Sequence, residues 1–174
     1  MTKRKTYVSD NLQYLFLIKM KFILEVNNKT TYKFSKKKFM GIFRHSIALA
    51  DLSCLENKIL ELSVALVSED EIQKLNSQYR KKRLPTDVLS FCEYESIEKL
   101  CEKKKENEIF IGELILCPKY IEHNANEDGQ SLEYALTYIT AHGIFHLLGF
   151  EHGKKMFALQ KQVADELVTS KNKK

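Results

Sequence analysis

Residues 141–153 read AHGIFHLLGFEHG, and this stretch predicts both the end of a helix and a metal site. His142 and His146 are four residues apart, which places two side chains on one face of an α-helix, one turn apart. Gly149 suits a left-handed residue that ends the helix and reverses the chain. His152 follows this turn and can point back toward the first pair. Three imidazoles are a ligand set of catalytic zinc, which keeps a fourth position for water.

The setting of these histidines favours metal binding over a chance polar face. A single His pair at helical spacing is usually only polar surface. Here three of the five histidines of the chain fall within one short stretch, with a turn-forming glycine between the second and third. The segment around them is strongly apolar, so imidazoles without partners would be costly there. Its apolar residues are Ile139, Ile144, Phe145, Leu147 and Leu148.

Length and composition predict one ordinary globular domain. The chain has 174 residues, of which 44% are hydrophobic and 29% are charged, enough for a core of its own. No apolar run reaches the roughly 18 to 20 residues of a membrane span, and no export signal is recognisable, so we expect a cytoplasmic protein. The four cysteines, at positions 54, 92, 101 and 117, have no metal or disulfide-framework spacing and are interpreted as reduced thiols. Cys117 is the most plausible further zinc ligand.

Charge is distributed unevenly along the chain. Residues 1–50 hold 11 Lys and Arg against 2 Asp and Glu, whereas the whole chain carries a net charge of +5. A basic N-terminal part suggests a polyanionic partner such as RNA, and solubility alone is an equally good explanation. Residues 1–19 are interpreted as a basic extension that is loosely attached, and residues 20–174 as a single domain.

Periodicity and turn signals predict alternating strands and helices after residue 20. Residues 93–107 are charged and irregular and are expected to form a loop or a short helix. We find no internal repeat, phosphate-binding loop or dinucleotide fingerprint. Strands are expected at 21–26, 58–67, 86–91 and 109–117, and helices at 36–52, 69–80, 119–125, 132–146 and 154–168.

Two substrate classes fit a three-histidine metal site. The spacing H-x3-H-x2-G-x2-H is also used by metzincin proteases, which place a Glu as general base directly after the first His. Gly143 occupies that position here, which argues against a peptidase, although Glu113 or Glu151 could substitute. Cleavage of a phosphodiester needs cations near the metal instead. Arg80 is the best candidate for such a cation, because its guanidinium can bind a phosphate in a bidentate way. Composition alone instead favours the interpretation that the basic residues 80–83 are only the solvated end of a helix.

Four blocks of sequence, in order, resemble one family. They are Leu75-Asn-x-x-Tyr-Arg80, Pro85-Thr-Asp-Val-Leu-Ser-Phe91, Ile111-Gly-Glu-Leu-Ile115 and His142-Gly-x-x-His-Leu-x-Gly-Phe-x-His152. This combination, followed by a helix with Met156, resembles the YbeY family of rRNA-maturation endoribonucleases over residues 58–168. Glu113 stands where the family commonly has Asp, and Phe150-Glu151 where it commonly has Tyr-Asp. Residues 1–57 match poorly.

The resemblance implies a fold, a site and an activity. The implied fold is α+β, a single domain with a small, mostly mixed central sheet flanked by helices and the metal site at the end of a buried helix. The implied activity is metal-dependent cleavage of single-stranded RNA, with roles in 16S rRNA 3′-end maturation and ribosome quality control. His142, His146 and His152 would hold one Zn²⁺ per chain, and Arg80 would act on the RNA phosphate as the catalytic cation.

Several further expectations accompany this interpretation. Lys81, Lys82 and Arg83 are predicted to guide the RNA together with Arg80. Expected partners are single-stranded RNA, 16S rRNA and ribosomal particles, with no membrane and no nucleotide cofactor. Thr86 and Ser90 are either hydrogen-bond donors in the cleft or satisfy the turn backbone. The alternatives are a metal-dependent hydrolase of a peptide or small molecule, and a ribosome assembly factor whose zinc is structural. Imidazole ligands also suit nickel, copper or iron.

Overall fold

One mixed sheet of four strands organises the molecule. The computed structural model describes residues 20–169 apart from the side chain of Lys104, so the predicted extension at 1–19 lies outside the described residues. The strand order is β1-β2-β4-β3, with β1, β2 and β4 parallel and β3 antiparallel to β4. The strands are β1 (Lys21–Asn28), β2 (Ile59–Leu66), β3 (Val88–Cys92) and β4 (Glu108–Leu116).

Six helices connect and cover these strands. They are α1 (Lys36–Ala50), α2 (Glu69–Arg80), α3 (Ile97–Glu102), α4 (Pro118–Glu127), α5 (Leu132–Leu147) and α6 (Lys154–Val168). Four of them begin after a serine whose Oγ accepts a hydrogen bond from the first-turn backbone, which satisfies an otherwise unpaired N–H group. These serines are Ser35, Ser68, Ser96 and Ser131.

Helix α5 lies at the centre of the larger apolar cluster. It contacts β3, β4 and the helices α1, α4 and α6, and it is apolar on nearly all sides. On β4, Leu114 lies against α5, whereas the next residue, Ile115, belongs to a smaller cluster under α2 with Ile72. Successive strand residues point to opposite faces, so α5 and α2 lie on opposite faces of the sheet. The site at the end of α5 therefore belongs to the face of the sheet that carries α1, α5 and α6.

The observed architecture confirms the expected fold class, an α+β domain with a small mixed sheet flanked by helices. Helix α1 ends at Ala50, two residues before the predicted end, because Asp51 adopts a left-handed conformation. The irregular segment 93–107 contains the short helix α3. None of the helices in the described part of the chain has the length and apolar content that crossing a bilayer requires.

The prediction of four reduced cysteines is wrong for two of them. Cys54, just after α1, and Cys101, in α3, form a disulfide although 47 positions separate them along the chain. Spacing alone gave no sign of this pair, because the fold and not a local motif brings the two Cα atoms to 5.4 Å. Cys92 and Cys117 are free thiols. Cys117 is buried in the smaller apolar cluster, and burial raises the pKa of its thiol.

Candidate metal centre

A Schellman turn ends helix α5 and sets the direction of the third histidine. The N–H of Phe150 donates to the carbonyl of Phe145 at 3.0 Å, and the N–H of Gly149 donates to the carbonyl of His146 at 2.9 Å. Gly149 has φ +88°, the left-handed conformation that this turn requires. The rings of Phe145 and Phe150 pack edge to face at 5.4 Å, the apolar contact that accompanies this motif. The chain consequently reverses, and His152 returns toward α5.

The three histidines converge on one point. Nε2 of His146 lies 3.1 Å from Nε2 of His142 and 3.0 Å from Nε2 of His152. All three candidate ligand atoms lie within 4.8 Å of one another. Ligand nitrogens at about 2.0–2.1 Å from a tetrahedral zinc are themselves about 3.3 Å apart, so this cluster has the size that such an ion requires.

The environment keeps the buried imidazoles neutral, which is the form that binds a metal. Burial, together with the neighbouring imidazoles of His142 and His152, lowers the pKa of His146 to about 4. Burial also lowers the pKa of His142, against the opposing effect of its hydrogen bond with Gln160. His146 therefore stays neutral well below pH 7 and retains a lone pair for a cation.

Hydrogen bonds to Nδ1 of two of the rings select the tautomer in which Nε2 carries no proton. Nδ1 of His142 lies 2.8 Å from Oε1 of Gln160, and Nδ1 of His146 lies 3.1 Å from the carbonyl oxygen of Phe150. Because a carbonyl oxygen only accepts, each Nδ1 carries the proton and each Nε2 presents its lone pair. The ring of His152 stacks on Phe157, with 5.9 Å between centroids and 24° between planes. The residues present therefore fit a metal ion.

Among the described residues, no Cys, Asp or Glu joins this cluster as a fourth ligand. Cys117, considered from the sequence as a further ligand, lies in the apolar cluster under α2 on the other face of the sheet. All three histidines line a cleft of about 610 Å³. An ion held by these three residues would therefore be accessible from the cleft.

Arg80 lies in the same cleft as the three histidines. Helix α2 ends there because Lys81 takes a left-handed conformation, and Arg80 occupies its last turn. Within residues 20–169, the Arg80 guanidinium has no ion pair or hydrogen-bond partner. Its positive charge lowers the pKa of His142 and His146, which is consistent with its position near them. A guanidinium without a protein partner is available to an anionic ligand.

The other members of the predicted basic cluster do not line the cleft. Lys81 points back along its helix, and its Nζ donates to the carbonyl of Gln78 at 3.0 Å. Arg83 lines a separate hollow beside Asp70 and Gln73. Lys82 is exposed. The prediction that Lys81, Lys82 and Arg83 guide RNA stays a prediction, and the structure separates them from Arg80.

The two glutamates considered as general bases lie away from the cleft lining. Glu113 precedes Leu114 on β4 and so faces the opposite side of the sheet, where it accepts a hydrogen bond from Ser63 at 3.4 Å. Glu151 is exposed and is not part of the cleft wall. Among the described residues, Asp87 is the one carboxylate that lines the cleft.

Thr86, before β3, and Ser90, within it, were expected either to line the cleft or to satisfy the turn backbone. Thr86 and Ser90 both line the cleft. The hydroxyl of Thr86 donates to Oδ1 of Asp87 at 3.1 Å, and the N–H of Val88 donates to the same oxygen at 2.8 Å. Thr86 therefore orients a carboxylate of the cleft and does not satisfy the turn backbone.

Sequence reasoning missed Gln160 and Phe157 as residues of this site. Gln160 is 1% exposed, and it repeats the buried spacing of Met156 and Val163 on α6. A polar residue at a core-facing position was the signal that could have identified it. Phe157, which is 45% exposed, carried no such signal.

The fold and the site together define a class of protein. Its members are small α+β domains with three histidines at the end of a buried helix, and these histidines can hold a metal ion in an open cleft. The sequence model described as endoribonuclease YbeY matches residues 25–168, and the chain therefore belongs to that family. The match begins at residue 25, well before the motif resemblance at residue 58, so it includes α1 and half of β1.

Individual relatives agree with this assignment. The endoribonuclease YbeY of Mycolicibacterium smegmatis is 31% identical over 152 residues, which cover 83% of this chain and 83% of the relative. The endoribonuclease YbeY of a Thermotoga species is 38% identical over 114 residues, covering 62% of this chain and 68% of the relative. A solution structure of a Thermotoga maritima protein superposes with a TM-score of 0.56 at 28% identity, over 86% of this chain and 92% of that one.

Proposed function

We propose that this chain is a metal-dependent endoribonuclease that cleaves single-stranded RNA and acts in 16S rRNA 3′-end maturation and ribosome quality control. The observation that carries the proposal is the placement of three converging Nε2 atoms and the unpaired Arg80 guanidinium in one open cleft. The curated relatives named endoribonuclease YbeY support RNA as the substrate class.

The proposed metal is one zinc ion per chain, held by His142, His146 and His152. When bound, such an ion acts as a Lewis acid and activates water as a nucleophile near neutral pH. The neutral imidazoles and the carbonyl acceptors behind two of them support this assignment. Imidazole ligands also suit nickel, copper and iron, so metal analysis of the purified chain decides the native ion.

Arg80 is proposed to bind the phosphate that is cleaved. Its guanidinium can donate two parallel hydrogen bonds to phosphate oxygens and can stabilise the charge that grows on them during cleavage. Lys81, Lys82 and Arg83, which are exposed just beyond the cleft, are proposed to attract the strand through its phosphates without contacting the reacting group.

A peptidase is the less well supported alternative. Metzincins need a glutamate directly after the first histidine, and Gly143 stands there. A Cβ at this position would lie 2.7 Å from Cδ2 of Leu114 and 3.3 Å from Oγ of Ser90, because Gly143 packs against the sheet. A glutamate at 143 would therefore clash with the sheet unless the packing of α5 on β4 changed.

A purely structural zinc is the second alternative, and it favours a closed fourth position. No fourth Cys, Asp or Glu joins the three histidines within residues 20–169, which supports an open site. An assembly factor with structural zinc would bind ribosomal particles and show no turnover that a chelator stops.

We propose that the protein works in the cytoplasm together with its ribosomal partners. The disulfide between Cys54 and Cys101 argues against a cytoplasmic location, because disulfides are rare in cytosolic proteins. Trapping thiols with an alkylating reagent at the moment of lysis, followed by mass spectrometry, would give the redox state in the cell. A cytoplasmic protein should show the pair largely reduced.

One experiment separates the three functions. The purified chain is incubated with single-stranded RNA, duplex RNA and casein, each with and without a chelator, and its metal content is measured in parallel. The proposal predicts cleavage of single-stranded RNA alone, loss of cleavage with the chelator and recovery when zinc is restored. Casein cleavage would favour the peptidase, and metal-loaded protein without turnover would favour the structural role.

A further inference from the structure

A second hollow of about 400 Å³ adjoins the metal cleft and has no role in the mechanism above. The two share a wall made of Asp87, Tyr138 and Ile139. We propose that this side hollow is a subsite for one unpaired nucleobase of the RNA, next to the phosphate held in the cleft. The inference rests on the proposed function, since it concerns how that substrate is recognised.

The side hollow has an aromatic wall of the kind that binds bases. Tyr134 and Tyr138, one turn apart on α5, have rings only 18° from parallel with centroids 6.4 Å apart. The hydroxyl of Tyr134 donates to Oδ1 of Asp165 at 2.9 Å, which fixes its ring in place. Proteins that recognise single-stranded RNA stack unpaired bases on such rings, and any base can stack because every base has a π-face.

The charge of the side hollow excludes a phosphate as its ligand. Asp87 and Asp128 both line it, and Lys161 is the one cation on its wall among the described residues. Lys161 forms an ion pair with Asp165, with 2.6 Å between Nζ and Oδ2. The metal cleft next to it presents the free guanidinium of Arg80 instead. Phosphate therefore belongs in the cleft, and an uncharged group with hydrogen-bond donors belongs in the side hollow.

The carboxylates also indicate which bases fit. Oδ1 of Asp87 already accepts hydrogen bonds from Thr86 and Val88, which leaves Oδ2 for a ligand. An ionised carboxylate only accepts hydrogen bonds. Adenine and cytosine present exocyclic amino groups, whereas the corresponding position of uracil is a carbonyl that also only accepts. The side hollow should consequently prefer a base with an amino group over uracil.

The test measures equilibrium binding to metal-free protein, so that cleavage does not interfere. A fluorescent oligouridylate is compared with the same strand in which one uridine is replaced by adenosine or by cytidine. The wild-type chain should bind the two substituted strands about tenfold more tightly than the oligouridylate. Asp128→Ala, which removes one of the two accepting carboxylates, should reduce this preference, and Tyr138→Leu, which removes a stacking ring, should weaken the binding of all three strands. Glu127→Gln, which removes an exposed carboxylate one residue from Asp128 and outside the hollow, should preserve the preference.

The outcomes distinguish this inference from the proposed function. Equal affinity of the wild-type chain for all three strands, or affinities that neither substitution changes, would overturn the subsite. If the zinc-loaded chain still cleaves these strands in that case, the proposed function stands without it. A chain that neither binds nor cleaves any of the strands would refute both. Asp128→Ala changes an exposed side chain and so tests the subsite even if Tyr138→Leu fails to fold.

Discussion

Oε1 of Gln160, from the buried face of α6, lies 2.8 Å from Nδ1 of His142 at the end of α5. This contact joins two helices through the ring of a candidate metal ligand. The oxygen holds the proton on Nδ1, and it fixes the rotation of the ring about its bond to the chain. A buried amide that faces an imidazole thus prepares Nε2 for a cation before any ion is bound.

Gln160→Leu is expected to weaken zinc binding by about 10–100-fold, because the ring of His142 loses the acceptor that orients it. Gln160→Glu keeps an acceptor in place and should retain the affinity. Zinc affinity is measured by competition with a chromogenic chelator, and the folding of the metal-free proteins by circular dichroism. Gln162→Leu, on the exposed face of the same helix, is the matched control. Equal zinc affinity in the Gln160→Leu and Gln162→Leu variants would contradict the role of Gln160.

His146→Ala should remove both the bound metal and RNA cleavage while most of the fold remains. His146 is the central ligand, since its Nε2 contacts the other two at 3.0 and 3.1 Å. Elemental analysis and a cleavage assay check the two expectations. His123→Ala removes an exposed histidine outside the cluster and should change neither quantity. Stoichiometric zinc in the His146→Ala protein would disprove the assignment of this ligand.

Arg80→Ala should lower kcat/KM for RNA by about 10²–10³-fold and leave the metal content unchanged. The reason is that its guanidinium is proposed to stabilise the phosphate in the transition state and has no protein partner to lose within the described residues. Arg83→Ala removes the same charge from a neighbouring hollow and should cost only a few-fold, through weaker general attraction. Parallel loss of metal and activity in Arg80→Ala would mean that Arg80 has a structural role.

Local signals in the sequence were sufficient for most of the secondary structure and for the grouping of the histidines. Ser68 and Ser131 marked two helix starts correctly, since each has an oxygen that caps the first turn. The glycine at 149 predicted the turn that brings His152 back to α5. These features depend on residues a few positions apart, and such spacing can be read directly from a sequence. The identity and the presence of the metal stay a prediction.

The features that were missed depend on tertiary contacts. Gln160 meets His142 only because α6 packs against α5, and Cys54 meets Cys101 only because α3 lies beside the end of α1. Likewise, the direction of Gly143 into the sheet follows from the packing of α5 on β4. No local pattern encodes such pairings, since their energy comes from surfaces that meet after the chain has folded.

Reduction of the disulfide is expected to lower the free energy of unfolding by about 2–4 kcal/mol, because the bond between Cys54 and Cys101 closes a long loop in the unfolded chain. Urea unfolding with and without dithiothreitol measures this change. Cys101→Ser should reproduce the effect of the reductant, and the reductant should then have no further effect. Cys92→Ser, which alters an exposed free thiol, is the control. Unchanged stability on reduction would show that the pair is not oxidised in the purified protein.

Gly149→Ala should destabilise the protein and weaken zinc binding together. The left-handed conformation alone costs a residue with a side chain about 1–2 kcal/mol. In addition, an added Cβ would lie 2.4 Å from the backbone nitrogen of Ile97, a contact that must displace either that segment or the turn. Displacement of the turn moves His152, and it also moves the carbonyl of Phe150 that holds the ring of His146.

Gly41→Ala provides the matched control, because Gly41 lies within helix α1 with nothing inside 4 Å of an added Cβ. It should stabilise the protein by about 0.5–1 kcal/mol, since alanine is the better helix former, and should leave zinc affinity unchanged. Thermal unfolding of the metal-free proteins and chelator competition measure the two quantities. If Gly149→Ala loses stability but keeps the zinc affinity of the wild type, the turn supports the fold alone and does not position the third ligand.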